Sequence, residues 1–215
     1  MRAILRVLKL IKGQVKDFKV PSVTEISYKK DPYRVLISCI LSLRTKDKTT
    51  LEASSRLFKA ASTPGDMVRL PGRRLERLIY PVGFYRNKTK VILEASRKII
   101  KDHAGRVPDK LEGLLEFKGV GRKTANLVLG LGYNIPAICV DTHVHRVSNR
   151  LGWVKTKAPE DTEEALKKII PRGRWIVLNT LLVAFGQNIC VPVSPFCGRC
   201  FARKLCKRVG VVRSR

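Results

Sequence analysis

Three features of the sequence predict an all-α chain. Apolar residues recur at helical spacing in one segment after another. Period-2 alternation is missing almost everywhere, and proline, glycine and short polar side chains punctuate the segments at close intervals. There is no internal repeat and no low-complexity linker, so the helices are expected to join through short connections.

The elements follow in order. Residues 1–17 carry Ile4, Leu5, Leu8 and Ile11 at helical spacing, and Pro21 and Ser22 interrupt. Asp31-Pro32 opens a helix to about Leu43, with a carboxylate cap and proline at the first position. That helix is apolar nearly all round, which predicts a buried central element. Asp47 or the threonines after it would cap a third helix through Leu57 and Phe58. Thr63-Pro64 starts a short helix to Leu70, and Pro71-Gly72 starts another ending near Tyr80. The turn Pro81-Val82-Gly83 presents Phe84 and Tyr85. A long helix follows, with Val91, Ile92, Ala95, Ile99 and Ile100 on one face and Gly105 closing it. After Leu151, Pro159 opens a helix to about Ile170. Gly173 to Gly186 forms the last long one, built on Trp175, Ile176, Leu178, Leu181, Leu182 and Phe185.

Charge narrows the class of partner. The 215 residues hold 44 Lys+Arg against 17 Asp+Glu, a net +27. Such a surplus fits a polyanion, nucleic acid first. The charge is spread along the chain and not gathered on one basic amphipathic helix, which argues against a membrane surface. Arg6, Lys9 and Lys12 interrupt the apolar start, so no signal-peptide core forms. No apolar run approaches the roughly 20 residues that span a bilayer. A soluble, intracellular protein is expected.

The stretch Leu114 to Arg150 concentrates the chemistry. A short apolar segment, Leu114 to Phe117, leads into Gly119-Val120-Gly121. A second follows, with Ala125, Val128, Leu129 and Leu131 at helical spacing. Two glycines around one apolar residue make a tight turn between helices. Backbone N–H groups from Gly119 to Arg122 then face outward at the positive end of the second helix, where a phosphate oxygen fits. Lys123 sits in the first turn. A helix N-terminus disfavours an ammonium and raises the fraction of neutral amine, which can attack an electrophilic carbon. Asp141 falls at the N-cap of the next helix, Thr142 to Leu151, and could relay a proton or stabilise a developing cation. The residues alone leave simpler roles open. Lysine beside a phosphate is commonly an electrostatic contact, and an N-cap Asp is commonly only a cap, worth about 1 kcal/mol.

The six cysteines divide in two. Cys39 and Cys139 sit in apolar runs and read as small buried hydrophobes. Cys190, Cys197, Cys200 and Cys206 form a C-x6-C-x2-C-x5-C pattern. Zinc sites usually pair two close knuckles, whereas one close pair with looser outer ligands suits a [4Fe–4S] cubane. Two disulfides are disfavoured in a chain with no secretory signal. Spacing favours the cluster over zinc.

Together GVGRKTAN, VDTHVHRVSNRLGW and LLVAFGQNICVPVSPFCGRCFARKLC resemble the endonuclease III family of DNA glycosylases. These belong to the helix-hairpin-helix superfamily with a Gly/Pro-rich loop and a catalytic Asp. The resemblance runs from about Leu36 to Cys206. It implies a six-helix barrel lobe, residues 25–135, and an iron–sulfur lobe made of 1–24 and 136–215, with DNA across the groove between them. It implies Lys123 as a Schiff-base nucleophile, Asp141 as the essential carboxylate and the four clustered cysteines as [4Fe–4S] ligands. Gly119, Gly121, Arg122 and His143 would join the DNA contacts. His143 and His145 also form an H-x-H pair, for which packing or hydrogen bonding is the simpler reading, because no other ligand cluster accompanies them.

Two positions bear on specificity. Phe84 matches the family's wedge position, where an apolar side chain intercalates as a base leaves the stack; a core aromatic is the alternative. Arg44 stands where many relatives carry glutamine, and arginine would read the estranged base with a preference for guanine. Lys118 replaces a proline that often precedes the GVG turn. Arg199, Arg203, Lys204, Lys207 and Arg208 could supply phosphate contacts around the cysteines. The implied enzyme is a bifunctional glycosylase and abasic-site lyase for oxidised pyrimidines. It would act as a monomer on damaged double-stranded DNA in the cytoplasm, at the nucleoid. Its rivals are a monofunctional mismatch or adenine glycosylase and a noncatalytic DNA-binding module. Lysine at 123 favours the lyase, since relatives that only remove the base commonly have tyrosine or serine there.

Overall fold

The computed structural model describes residues 2–215; Met1, the first residue of the expected opening helix, lies outside them. Among the described residues the regular elements are all helical. The chain forms two compact units: the N-terminal residues through Pro21 with Pro136–Arg215, and Ser22–Ile135. Among the described residues no helix is long and apolar enough to cross a membrane.

Helix α1, Arg2–Val15, buries Val7, Leu8, Ile11 and Val15 along one stripe, the face its 3–4 spacing dictates. In the Ser22–Ile135 unit, α2 (Ser22–Ser27) was not anticipated. Its six residues lack an apolar period long enough to read, and packing on its neighbours makes it helical. Helix α3, Pro32–Ser42, is the expected centre. Asp31 caps it by accepting from the N–H groups of Tyr33 and Arg34, at 2.9 and 3.2 Å. Val35, Leu36, Ile37, Ile40 and Leu41 are sealed from solvent, each contributing about 1.5–3 kcal/mol.

Helix α4, Asp47–Ala60, begins without a side-chain cap. The expected cap, Asp47, is already helical, and its carboxylate accepts from Ser22 Oγ at 3.0 Å. Helix α5, Pro64–Arg69, carries a full capping box between Thr63 and Asp66. Helix α6 is Gly72–Ile79 and α7 is Tyr85–Asp102. On α7, Val91, Ile92, Ala95 and Ile99 are buried as expected, but Ile100 is 43% exposed. It lies about 100° round the helix from Ile99 and leaves the stripe. Tyr33 and Ser96, with hydroxyls 2.7 Å apart, tie α3 to α7 in the interior.

Helix α8, Leu111–Leu115, and α9, Arg122–Leu127, form the hairpin. Phe117 is buried beside the His103 ring, and Lys98 on α7 bridges Asp102 and Glu116 at 3.2 and 3.1 Å, which fastens the hairpin to the long helix. Beyond α9 the chain widens into a π-turn over Val128–Gly132, where a regular helix was expected, and Leu131 is only half-buried. A Cβ on Gly132 would come within 2.8 Å of Pro32 Cα, so this segment passes the start of α3 at a distance only glycine allows.

In the other unit, α10 is Thr142–Leu151, α11 is Pro159–Ile169 and α12 is Trp175–Asn188. A single 3-10 turn, Arg172–Arg174, precedes α12, so the last helix starts two residues later than its sequence suggested. Val144, Val147, Leu178, Leu182 and Phe185 interlock with the buried stripe of α1. Gly152 ends α10 in the left-handed conformation, and the Lys207 stem lies where its Cβ would be.

Candidate functional site

The hairpin turn rests on one glycine and not two. Gly119 has φ +77, which an L-residue adopts at a cost. Gly121 is extended, φ −97 and ψ 178, so its backbone suits any residue. What Gly121 supplies is room: a Cβ there would meet nothing within 4 Å. Val120 N–H is taken by Phe117 O at 3.0 Å, and no side chain caps the start of α9. The turn therefore offers a positively polarised helix start without a side-chain cap at Gly121, with Arg122 and Lys123 in its first turn. Lys123 is exposed. Its charge reaches Cys39, whose thiol burial pushes up to about 12 against the pull of that lysine.

A hollow in the same unit gathers Arg44, Phe84 and Gly119, together with Ile40, Lys88 and Val91. Phe84 is 64% exposed, which removes the core-aromatic reading. The Arg44 guanidinium carbon lies 5.6 Å from the Phe84 ring centroid. Both residues are left-handed, φ 51 for Arg44 and 57 for Phe84. Such strain in a non-glycine residue persists only where the surroundings enforce it. Lys88 sits beneath them, 5% exposed. Its ammonium donates to Leu41 O at 2.8 Å, to Leu43 O at 2.5 Å and to Thr45 Oγ1 at 3.0 Å. Burial pushes Lys88 down to about 8, and the three accepting oxygens oppose that shift.

Asp141 lies in the unit that includes α10. It caps that helix as expected: Oδ1 accepts from the N–H groups of His143 and Val144, each at 2.9 Å. His143 Nδ1 is 3.1 Å from Arg146 Nη2, which also donates to the carbonyls of Gly186 and Cys190. His145 turns elsewhere, its Nδ1 2.7 Å from Thr162 Oγ1. The H-x-H pair is thus divided between separate partners.

Cys190, Cys197, Cys200 and Cys206 line one cavity with Phe185, Phe196 and Arg150. No disulfide joins any of the six cysteines, all of which lie among the described residues, and Cys39 and Cys139 are buried as expected. Arg150 donates to Val191 O at 2.7 Å and Pro192 O at 2.6 Å, and Arg146 holds Cys190 O. Two arginines one turn apart on α10 therefore shape the loop that starts the cysteine set. Burial pushes the Cys200 thiol up to about 11 and raises Cys206 too, and the neighbouring cysteines add to both shifts. Among the described residues no three His, Cys, Asp or Glu side chains are gathered as a formed metal site would need; what the four thiols share is the lining of this one cavity, and thiolates are the donor type that an iron–sulfur cluster takes. Arg199 and Arg215 flank the Phe196 ring, at 5.4 and 4.1 Å from its centroid. Arg203, Lys204, Lys207 and Arg208 are exposed nearby in sequence.

Residues 37–172 match the HhH-GPD superfamily of base excision DNA repair proteins. Over 177 residues the chain is 51% identical to endonuclease III of Thermotoga maritima, covering 82% of this chain and 83% of that protein. The chain belongs to the endonuclease III family. Among solved structures, a trapped endonuclease III–DNA covalent intermediate with an estranged adenine superposes with a TM-score of 0.83 at 32% identity, over 96% of this chain and 95% of that one. A thermostable thymine-DNA glycosylase superposes as well, with a TM-score of 0.84 at 25% identity over 96% of both chains. The fold is thus shared by an endonuclease III and a thymine-DNA glycosylase, and backbone shape does not choose between them.

Three residues that shape these regions, one in the Ser22–Ile135 unit and two in the other, were not singled out from the sequence. Lys88 falls in register with Val91, Ile92, Ala95 and Ile99, so a lysine on a buried stripe was the available signal. Arg146 and Arg150 are spaced i,i+4 on α10 and half-buried, but nothing local tells a surface pair from a clamp on a loop.

Proposed function

We propose that this chain is a bifunctional DNA glycosylase and abasic-site lyase that removes oxidised pyrimidines from double-stranded DNA at the nucleoid. The observation that carries the reading is Lys123, in the first turn of the uncapped helix after the Gly119–Gly121 turn, in a chain 51% identical to an endonuclease III. The solved relative caught as a covalent DNA intermediate supports a nucleophilic residue in this fold.

The chemistry runs through the chain's own groups. Gly119, Gly121 and Arg122 grip a phosphate through backbone N–H groups and charge, with His143 a further contact. A ring-saturated pyrimidine stacks poorly and costs less to extrude than an intact base. Phe84 fills the gap and Arg44 meets the estranged base. The Lys123 amine bonds to C1′, the glycosidic bond breaks, and the departing base takes a proton as the sugar ring opens. Asp141 offsets the positive charge that develops and accepts a proton. The resulting Schiff base acidifies C2′–H; loss of that proton breaks the C3′–O bond, and water then frees the amine. Cys190, Cys197, Cys200 and Cys206 would hold a [4Fe–4S] cluster, which ties the C-terminal loop into one unit when bound. Purified protein is expected to be yellow-brown, with about four irons and four sulfides per chain. Stoichiometric zinc without visible absorption would refute the cluster.

Borohydride trapping tests the reaction. Enzyme incubated with a thymine-glycol duplex is expected to give a covalent adduct and a strand broken 3′ to the lesion. Release of adenine opposite 8-oxoguanine, with no action on thymine glycol, would assign the chain to the monofunctional class.

A further inference from the structure

The hollow that gathers Arg44 and Phe84 has a support the reaction scheme does not use. Lys88 is buried, and the causes that shift its ionisation include no carboxylate. An ammonium has three donors, and here all three are spent on two carbonyls at the C-terminal end of α3 and on one hydroxyl. A cation at a helix C-terminus is favoured by the helix dipole. Leu43 and Thr45 are the residues on either side of Arg44, so Lys88 grips both flanks of the left-handed residue. Thr45 extends the grip: its hydroxyl donates to Leu43 O at 3.2 Å and accepts from Gly83 N–H at 3.2 Å. Gly83 precedes Phe84, and a Cβ on it would lie 2.7 Å from Arg44 O. Lys88 N–H also bonds Phe84 O at 3.0 Å. The Arg44 loop and the Phe84 turn are thus one hydrogen-bonded assembly with a single buried cation at its centre.

Resting on the reading of Arg44 as the group that meets the estranged base, we infer that Lys88 is a positioning residue for opposite-base selectivity. The Lys88 donors are spent on protein oxygens. Its ammonium holds the loop so that the Arg44 guanidinium stands over the Phe84 ring. Without the ammonium, Leu41 O and Leu43 O lose their donor, Arg44 relaxes from φ 51 toward ordinary backbone, and its guanidinium loses a fixed direction.

The test is a double-mutant cycle read as selectivity. kcat/KM is measured on four duplexes with thymine glycol opposite each base, for the parent, Lys88→Met, Arg44→Ala and the pair. Methionine keeps the length of the side chain and removes its donors. Lys88→Met is expected to narrow the spread between best and worst opposite base by about ten-fold, and to narrow it no further in the Arg44→Ala background. Simple loosening of the fold would lower all four rates together and leave the spread intact. A spread lost in Arg44→Ala but kept in Lys88→Met overturns the role of Lys88 alone. An unchanged spread in Arg44→Ala overturns the Arg44 reading, and the inference with it. Should Lys88→Met not fold, Gly83→Ala pushes on the Arg44 carbonyl with Lys88 intact and is expected to narrow the same spread; an unchanged spread there overturns the inference.

Discussion

Lys123→Ala is expected to abolish borohydride trapping on a thymine-glycol duplex and to lower turnover by at least about a thousand-fold, as removal of a covalent nucleophile does. Binding should survive, because the proposed phosphate grip rests on the backbone of the Gly119 turn and on Arg122. The side chain is exposed, so the fold should tolerate its loss. Gel shift with an uncleavable analogue separates the two effects. Undiminished trapping in Lys123→Ala would move the nucleophile elsewhere. Parallel loss of trapping and affinity would make Lys123 a phosphate contact, the simpler role its position also allows.

Asp141→Asn is expected to keep the fold and most DNA affinity while lowering kcat by about 10²- to 10⁴-fold. The geometry makes the substitution clean. Only Oδ1 accepts the N–H groups of His143 and Val144, and an amide oxygen can do the same. What the amide lacks is charge and the capacity to take a proton. Thermal unfolding should therefore change little, whereas single-turnover rates fall. Equal rates in mutant and parent would reduce Asp141 to a cap.

Both predictions rest on residues that short-range patterns made visible. The Gly119–Gly121 turn, the lysine after it, the Asp141 cap and the four clustered cysteines are each set by chain-local chemistry: glycine's backbone freedom, a carboxylate three residues before an N–H, thiolates at ligand spacing. Buried α3 was equally legible, since an apolar stretch with a capped start has few other places to go. Errors came where a side chain had two local roles to choose from. Asp47 looked like a cap and instead accepts a hydrogen bond from the Ser22 hydroxyl, 25 residues away in sequence. Gly121 looked like a conformational glycine and is instead an open space.

By itself, then, the sequence determined an all-helical chain and, through its motifs, the family to which it belongs, and that resemblance supplied the candidate nucleophile, carboxylate and ligand set. It could do so because helical period, caps and motif spacing act over at most a few turns of chain. The tertiary structure alone decided that Arg44 and Phe84 share one hollow, that both are held left-handed, and that Lys88 is buried under them with its donors on Leu41, Leu43 and Thr45. Those bonds join residues 43 to 47 positions apart. A lysine's preference for water predicts the opposite placement, and only packing α7 against the end of α3 supplies the three oxygens that make its burial tolerable.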